Sequence, residues 1–246
     1  MSLTYQTDEV GDETEEELTQ DPVERPAPPY YTYILVAAIA VVALVQFGTG
    51  LEQSIDAAGF DKRAFLQGHQ YWLILTGAAT HGSVAHILMN GYAFYSFGKI
   101  FELLSNKAHL AIVFLLSAIG GGLLSLIFMP NGVSVGASGG IVGLIGYLAV
   151  YAFRRRQFIT PEFRKNLLIN IGFILVFGLV LYQTIDNFGH IGGLITGALY
   201  AFIQVPGDAF TDPREAGSIT EFAGIAALGV YLASCGFAIL LILRIV

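Results

Sequence analysis

Seven apolar stretches, each close to the length a helix needs to cross a bilayer, run through this chain of 246 residues and leave few folds open to it. A helix advances 1.5 Å per residue, so roughly 20 apolar residues cover a hydrocarbon core about 30 Å thick. The stretches lie at about 31–47, 84–101, 110–129, 138–153, 167–182, 188–205 and 222–245. Charged residues make up only 13% of the chain and apolar residues 54%, whereas a soluble domain is about a quarter charged. No alternating pattern of the kind a transmembrane barrel requires competes with these runs. The fold class expected is therefore an all-α polytopic membrane protein.

The net charge of −7 has one source, the acids from Asp8 to Glu24 that precede the first apolar stretch. This tail lacks hydrophobic periodicity and ends in Pro22, Pro26, Pro28 and Pro29, so residues 1–29 are expected to be disordered. An acidic start is unlike a secretory signal or transit peptide, and the first apolar segment is expected to stay in the mature protein. Placing the N-terminus in the cytoplasm puts nine Lys and Arg residues on the inner side, among them Arg154, Arg155 and Arg156, against Lys62, Arg63 and Arg244 outside. That bias predicts a cytoplasmic N-terminus and an outer C-terminus in a cell (plasma or inner) membrane. The long first outer loop, about 48–83, carries Phe60, Phe65, Tyr71, Trp72 and Leu73 and reads as a segment lying in the membrane interface. The single cysteine, Cys235, has no partner for an internal disulfide.

Polar groups within spanning helices are costly and point to function. Under this topology the second, fourth and sixth stretches all run inward from the outer side. Their starts carry His81, His86 and Asn90, then Ser138, then His190. The segment Gly136-Ala137-Ser138-Gly139-Gly140 fits G-x-S-x-G, but the strand and parallel sheet of a nucleophile elbow are missing. At a helix start, Ser138 instead meets free backbone N–H groups and the positive end of the helix dipole, which favour an oxyanion. The plainer reading is that Ser138 caps the helix. His190, likewise, is either a structural histidine or a base. Its helix carries Gly189, Gly193 and Gly197, and the serine helix Gly139 and Gly143, a spacing that lets two helices approach closely. Such approach is what a Ser138–His190 hydrogen bond needs. His86 and Asn90, four residues apart, share one face and present two donors for an oxyanion hole. A metal site built from His81, His86 and His190 is the weaker alternative, because no carboxylate lies beside them and no H-E-x-x-H occurs. Asp186 stands four residues before His190 as either a third triad member or, with Asn187, a cap of the sixth helix.

Taken together, Trp72, the run from His81 to Asn90, Gly98 and Glu102, Gly136-Ala137-Ser138-Gly139, and Gly189-His190-Ile191-Gly192-Gly193 with Gly197 resemble the rhomboid family of intramembrane serine proteases. The resemblance implies a six-helix core over residues 30–205, a cytoplasmic linker over 206–221, and an extra C-terminal helix over 222–246. It implies Ser138 as nucleophile and His190 as general base, with the oxyanion held by the Ser138 N–H, His86 and Asn90. Single-pass membrane proteins would be the substrates, within the lipid bilayer, with no cofactor, metal or nucleic acid; oligomeric state stays open. Two positions depart from the family pattern: Leu73 stands where an arginine usually follows the tryptophan, and Val142 where an aromatic commonly stacks on the histidine. The backbone of residues 129–135 and 183–187 is expected to pair with an unwound substrate strand. A non-catalytic rhomboid-like protein that binds membrane clients is the alternative. A transporter is disfavoured, since neither inverted repeats nor midplane charges occur.

Overall fold

The computed structural model describes residues 27–181 and 184–246, so the acidic tail up to residue 26 lies outside the described residues. All seven apolar stretches fall on helices: α1 (Tyr30–Thr49), α5 (Val84–Leu104), α6 (Lys107–Phe128), α7 (Ser138–Arg154), α8 (Pro161–Val180), α9 (Asn187–Gln204) and α10 (Ser218–Ile242). Four of them, α1, α6, α8 and α10, are long and apolar enough to cross a membrane by length and composition alone. The others are shorter or carry the polar residues singled out above. This is the all-α polytopic architecture expected from the sequence.

The helices begin where the sequence supplies caps. Ser83 accepts from the His86 N–H at the start of α5 (3.1 Å), and Asn106 from the Ala108 N–H at the start of α6 (2.7 Å). Thr160 accepts from the Phe163 N–H, with Pro161 opening α8. Each satisfies a backbone donor that the helix cannot pair itself. The apolar faces then meet around α7, whose Leu144, Ile145, Tyr147 and Leu148 are fully buried. Helices α6 and α9 flank α7, and α10 packs across α6 and α1. At the end of the bundle away from Ser138, Thr32 of α1 donates both N–H and Oγ1 to Glu102 of α5 (2.7 Å each). Gly98, one turn before Glu102, leaves room for that threonine: a Cβ there would sit 2.5 Å from Thr32 Oγ1.

The long segment between α1 and α5, expected to be an interfacial loop, carries regular structure of its own. It folds into α2 (Leu51–Ala58), β1 (Phe60–Asp61), α3 (Lys62–Gln67) and α4 (Leu73–Ala79). Strand β1 pairs antiparallel with β2 (Val133–Ser134), just before Ser138. Its aromatic residues divide: Phe60 is buried, while Tyr71 and Trp72 are exposed. Leu73, Ala78 and Ala79 are buried, and Tyr231 of α10 donates to the Ala78 carbonyl (3.1 Å).

Candidate active site

Gly136 is the keystone of the local geometry. It adopts φ +118°, a conformation that L side chains rarely take. Its N–H donates to the Gly77 carbonyl of α4 (2.9 Å), which fixes the chain two residues before Ser138. A Cβ added to Gly136 would lie 2.7 Å from both Cε1 and Nε2 of His86 and 3.4 Å from Nδ2 of Asn90. The two side chains read as an oxyanion pair therefore converge on the backbone that leads into Ser138. His86 Nδ1 accepts from the Gly82 N–H (3.4 Å), which leaves Nε2 as the ring donor facing Gly136. Asn90 is buried, and its Nδ2 has no partner among the described residues. A buried donor without a partner is costly in a folded protein and is what a site reserved for a transient oxyanion would hold.

Ser138 opens α7, but it does not cap it: the N-cap is Ala137, and no side-chain cap bond forms. The hydroxyl is not consumed by the helix. Ser138 lines a cavity of about 50 Å³ together with Phe60, Ser134, Asp186 and Gly189, large enough for water by the criterion of roughly 15 Å³ per molecule.

Opposite α7 stands the start of α9. A Cβ at Gly139 would lie 3.4 Å from the Gly189 carbonyl, one at Gly193 would collide with the Gly139 carbonyl, and one at Gly197 with the Gly143 carbonyl. A Cβ at Gly143 would in turn collide with the Ser117 hydroxyl of α6 and lie 3.0 Å from the Gly193 carbonyl. All five glycines named from the sequence thus lie in a backbone-to-backbone contact of α7 with α9, reinforced by α6. That contact sets Gly139, next to Ser138, against Gly189, next to His190.

His190 is buried, and its Nδ1 has no partner among the described residues. No hydrogen bond joins it to Ser138 among those residues; such contacts commonly tighten only when substrate binds. The Asp186 carboxylate makes no hydrogen bond to the His190 ring. Its Oδ1 accepts from the Gly189 N–H (2.8 Å) and its Oδ2 from Ser125 and Ser134, so it acts as the cap of α9. Val142 is buried, and no aromatic ring stacks on His190 among the described residues. His81 is fully buried, with its ring edge-to-face with that of His86 at 5.1 Å. Its backbone N–H and carbonyl are both held by the Gln46 side chain of α1 (2.9 and 3.2 Å). Gln46 escaped the sequence reading, although an amide in an otherwise apolar span was the available signal. Among the described residues no three His, Cys, Asp or Glu side chains are grouped to hold a metal.

These features define a polytopic helical membrane protein with a half-buried serine at a helix start, approached by two side-chain donors and by a histidine helix in backbone contact. The model of the rhomboid domain matches residues 68–207, and the chain belongs to the rhomboid family. It is 30% identical over 186 residues to rhomboid protease GluP of Bacillus subtilis (strain 168), covering 74% of this chain and 36% of that protein. It is 32% identical over 145 residues to the mitochondrial RHOMBOID-like protein 6 of Arabidopsis thaliana, covering 58% and 47%. Similarity extends to inactive rhomboid protein 1 of Bos taurus, 33% identical over 142 residues, covering 57% of this chain and 16% of that protein. The chain thus spans less than half the length of each of these relatives.

Proposed function

We propose that the protein is an intramembrane serine endopeptidase that cuts single-pass membrane proteins with a Ser138–His190 dyad. The observation that carries this reading is the convergence of His86 Nε2 and Asn90 Nδ2 on Gly136, at the entry to the helix that Ser138 opens. In the reaction, His190 takes the Ser138 proton as Oγ attacks the scissile carbonyl. Negative charge builds on the carbonyl oxygen and is met by the Ser138 N–H, His86 Nε2 and Asn90 Nδ2. His190 then protonates the leaving amine, and water from the cavity beside Ser138 hydrolyses the acyl-enzyme. A third acid plays no part, because the Asp186 carboxylate is committed to α9 and to two serines.

The first outer segment already takes one edge of the backbone before Ser138, with Phe60 opposite Ser134 and Asp61 opposite Val133. An unwound substrate strand is therefore assigned to the other edge of residues 133–135 and to residues 184–187 facing it. Of the second stretch named from the sequence, Gln183 lies outside the described residues. The N-terminus is assigned to the cytoplasm and the C-terminus to the outer side of a cell membrane, from the Lys and Arg bias.

A non-catalytic, client-binding role is the second reading, favoured by the inactive relative and by the missing aromatic stack on His190. A panel of tagged single-pass proteins co-expressed with wild type and with Ser138→Ala separates the two. The endopeptidase reading expects cleavage of at least one member by wild type and none by the variant. Cleavage that persists in Ser138→Ala, or full biological function in that variant, contradicts it.

A further inference from the structure

Lys62 has no exposed surface, a rare state for a lysine. Its Nζ donates to Ser134 Oγ and lies 4.0 Å from Asp186 Oδ2. Ser134 passes the chain on by donating to the same Oδ2, which also accepts from Ser125 at the far end of α6. The Nζ also sits 5.1 Å from the Phe60 ring centroid. Four segments distant in sequence therefore meet at one carboxylate: the start of α3, strand β2, the end of α6 and the start of α9. Burial pushes the Lys62 ammonium below the usual lysine range, while the carboxylates of Asp186 and Asp61 pull it back up.

An ion pair with a fully buried lysine adds little to stability over an apolar substitute, but removing its carboxylate strands the buried ammonium and costs much. The first outer segment and α9 are thus tied together in a way that neither keeps alone. The tie ends one turn from the dyad: the His190 N–H donates to the Asp186 carbonyl (3.1 Å), and Asp186 and Ser138 line the same cavity.

We propose that Lys62 and Asp186 form a charge clamp through which docking of the first outer segment sets the position of His190. Asp186 is on this view a positioning residue, and the proposal rests on the reading of His190 as the base. The clamp makes the catalytic helix sensitive to a segment more than a hundred residues earlier in the chain.

The full chain, purified in detergent, tests this in four forms: wild type, Lys62→Met, Asp186→Asn and the double variant. Asparagine at 186 keeps the capping group and removes the charge. Hydrogen exchange is followed in peptides covering 59–68 and 184–192, alongside the rate at which a fluorophosphonate labels Ser138. Each single variant is expected to speed exchange in both peptides and slow labelling by about tenfold, and the double variant to return to within about threefold of wild type. Faster exchange confined to 59–68 in Lys62→Met overturns the clamp, and so does a double variant whose effect is the product of the singles. If a single variant does not fold, a folded double variant supports the coupling and an unfolded one contradicts it. Should wild type not label at all, the protease reading fails, while the exchange arm still decides the clamp.

Discussion

Gly136 carries two constraints at once, a positive φ and the His86 ring and Asn90 amide packed against the space where its side chain would be. Gly136→Ala is therefore expected to displace His86 and Asn90 and to cut the rate of Ser138 labelling by at least about 100-fold, the scale of losing one oxyanion donor. Its unfolding in detergent should remain cooperative, because the residues displaced lie at the site and not in the core around α7. Under the proposed mechanism the His86 and Asn90 donors would meet charge that exists only in the transition state, so His86→Ala and Asn90→Ala are expected to lower kcat by roughly 100- to 1,000-fold with little change in KM. Kinetics on a cleaved reporter check both. Leu73 makes a converse case. The family pattern has arginine there, but in this chain the leucine is buried at the start of α4. Leu73→Arg should lower stability by several kcal/mol, the cost of a buried unpaired charge, measured as a loss of denaturant midpoint.

At the scale of elements, the contact between α7 and α9 was legible because small residues four apart mark close helix approach. Gly193→Ala would drive a methyl group into the Gly139 carbonyl, and overpacking of this kind costs about 1–3 kcal/mol. We expect that destabilisation together with loss of labelling, because the strain separates the helices that bear Ser138 and His190. A unit shift in both readouts supports the contact as the scaffold of the dyad; wild-type labelling in a destabilised protein would not. The segment between α1 and α5 was not legible in the same way. Its helices are six to eight residues long, too short for a clear periodic signal, and strand β1 has only two residues, whose partners Ser134 and Val133 lie more than seventy positions later. The role of Asp186 was half legible. Its capping position follows from local spacing, whereas its link to Lys62 depends on tertiary contacts that no local pattern encodes.

For the whole molecule, hydropathy was sufficient for the spanning helices because a bilayer demands length and apolarity above all. It could not say what braces the segment between α1 and α5 in the absence of the usual arginine. Helix α10 contributes that brace: Phe237 stacks edge-to-face on Trp72 at 5.7 Å, and buried Tyr231 bonds to the Ala78 carbonyl. Tyr231→Phe, which removes the hydroxyl that bonds Ala78, is expected to cost about 1 kcal/mol and to speed exchange in α4 selectively, as hydrogen exchange of residues 73–79 would record. The proposed function makes the start of α7 a nucleophile site served by the start of α9. Its most direct test is mass-spectrometric mapping of the fluorophosphonate adduct on the purified full chain. A single adduct on Ser138 is expected in wild type, none in Ser138→Ala, and labelling slowed by at least about 100-fold in His190→Ala. An adduct elsewhere, labelling that survives Ser138→Ala, or full labelling of His190→Ala would contradict the proposed function.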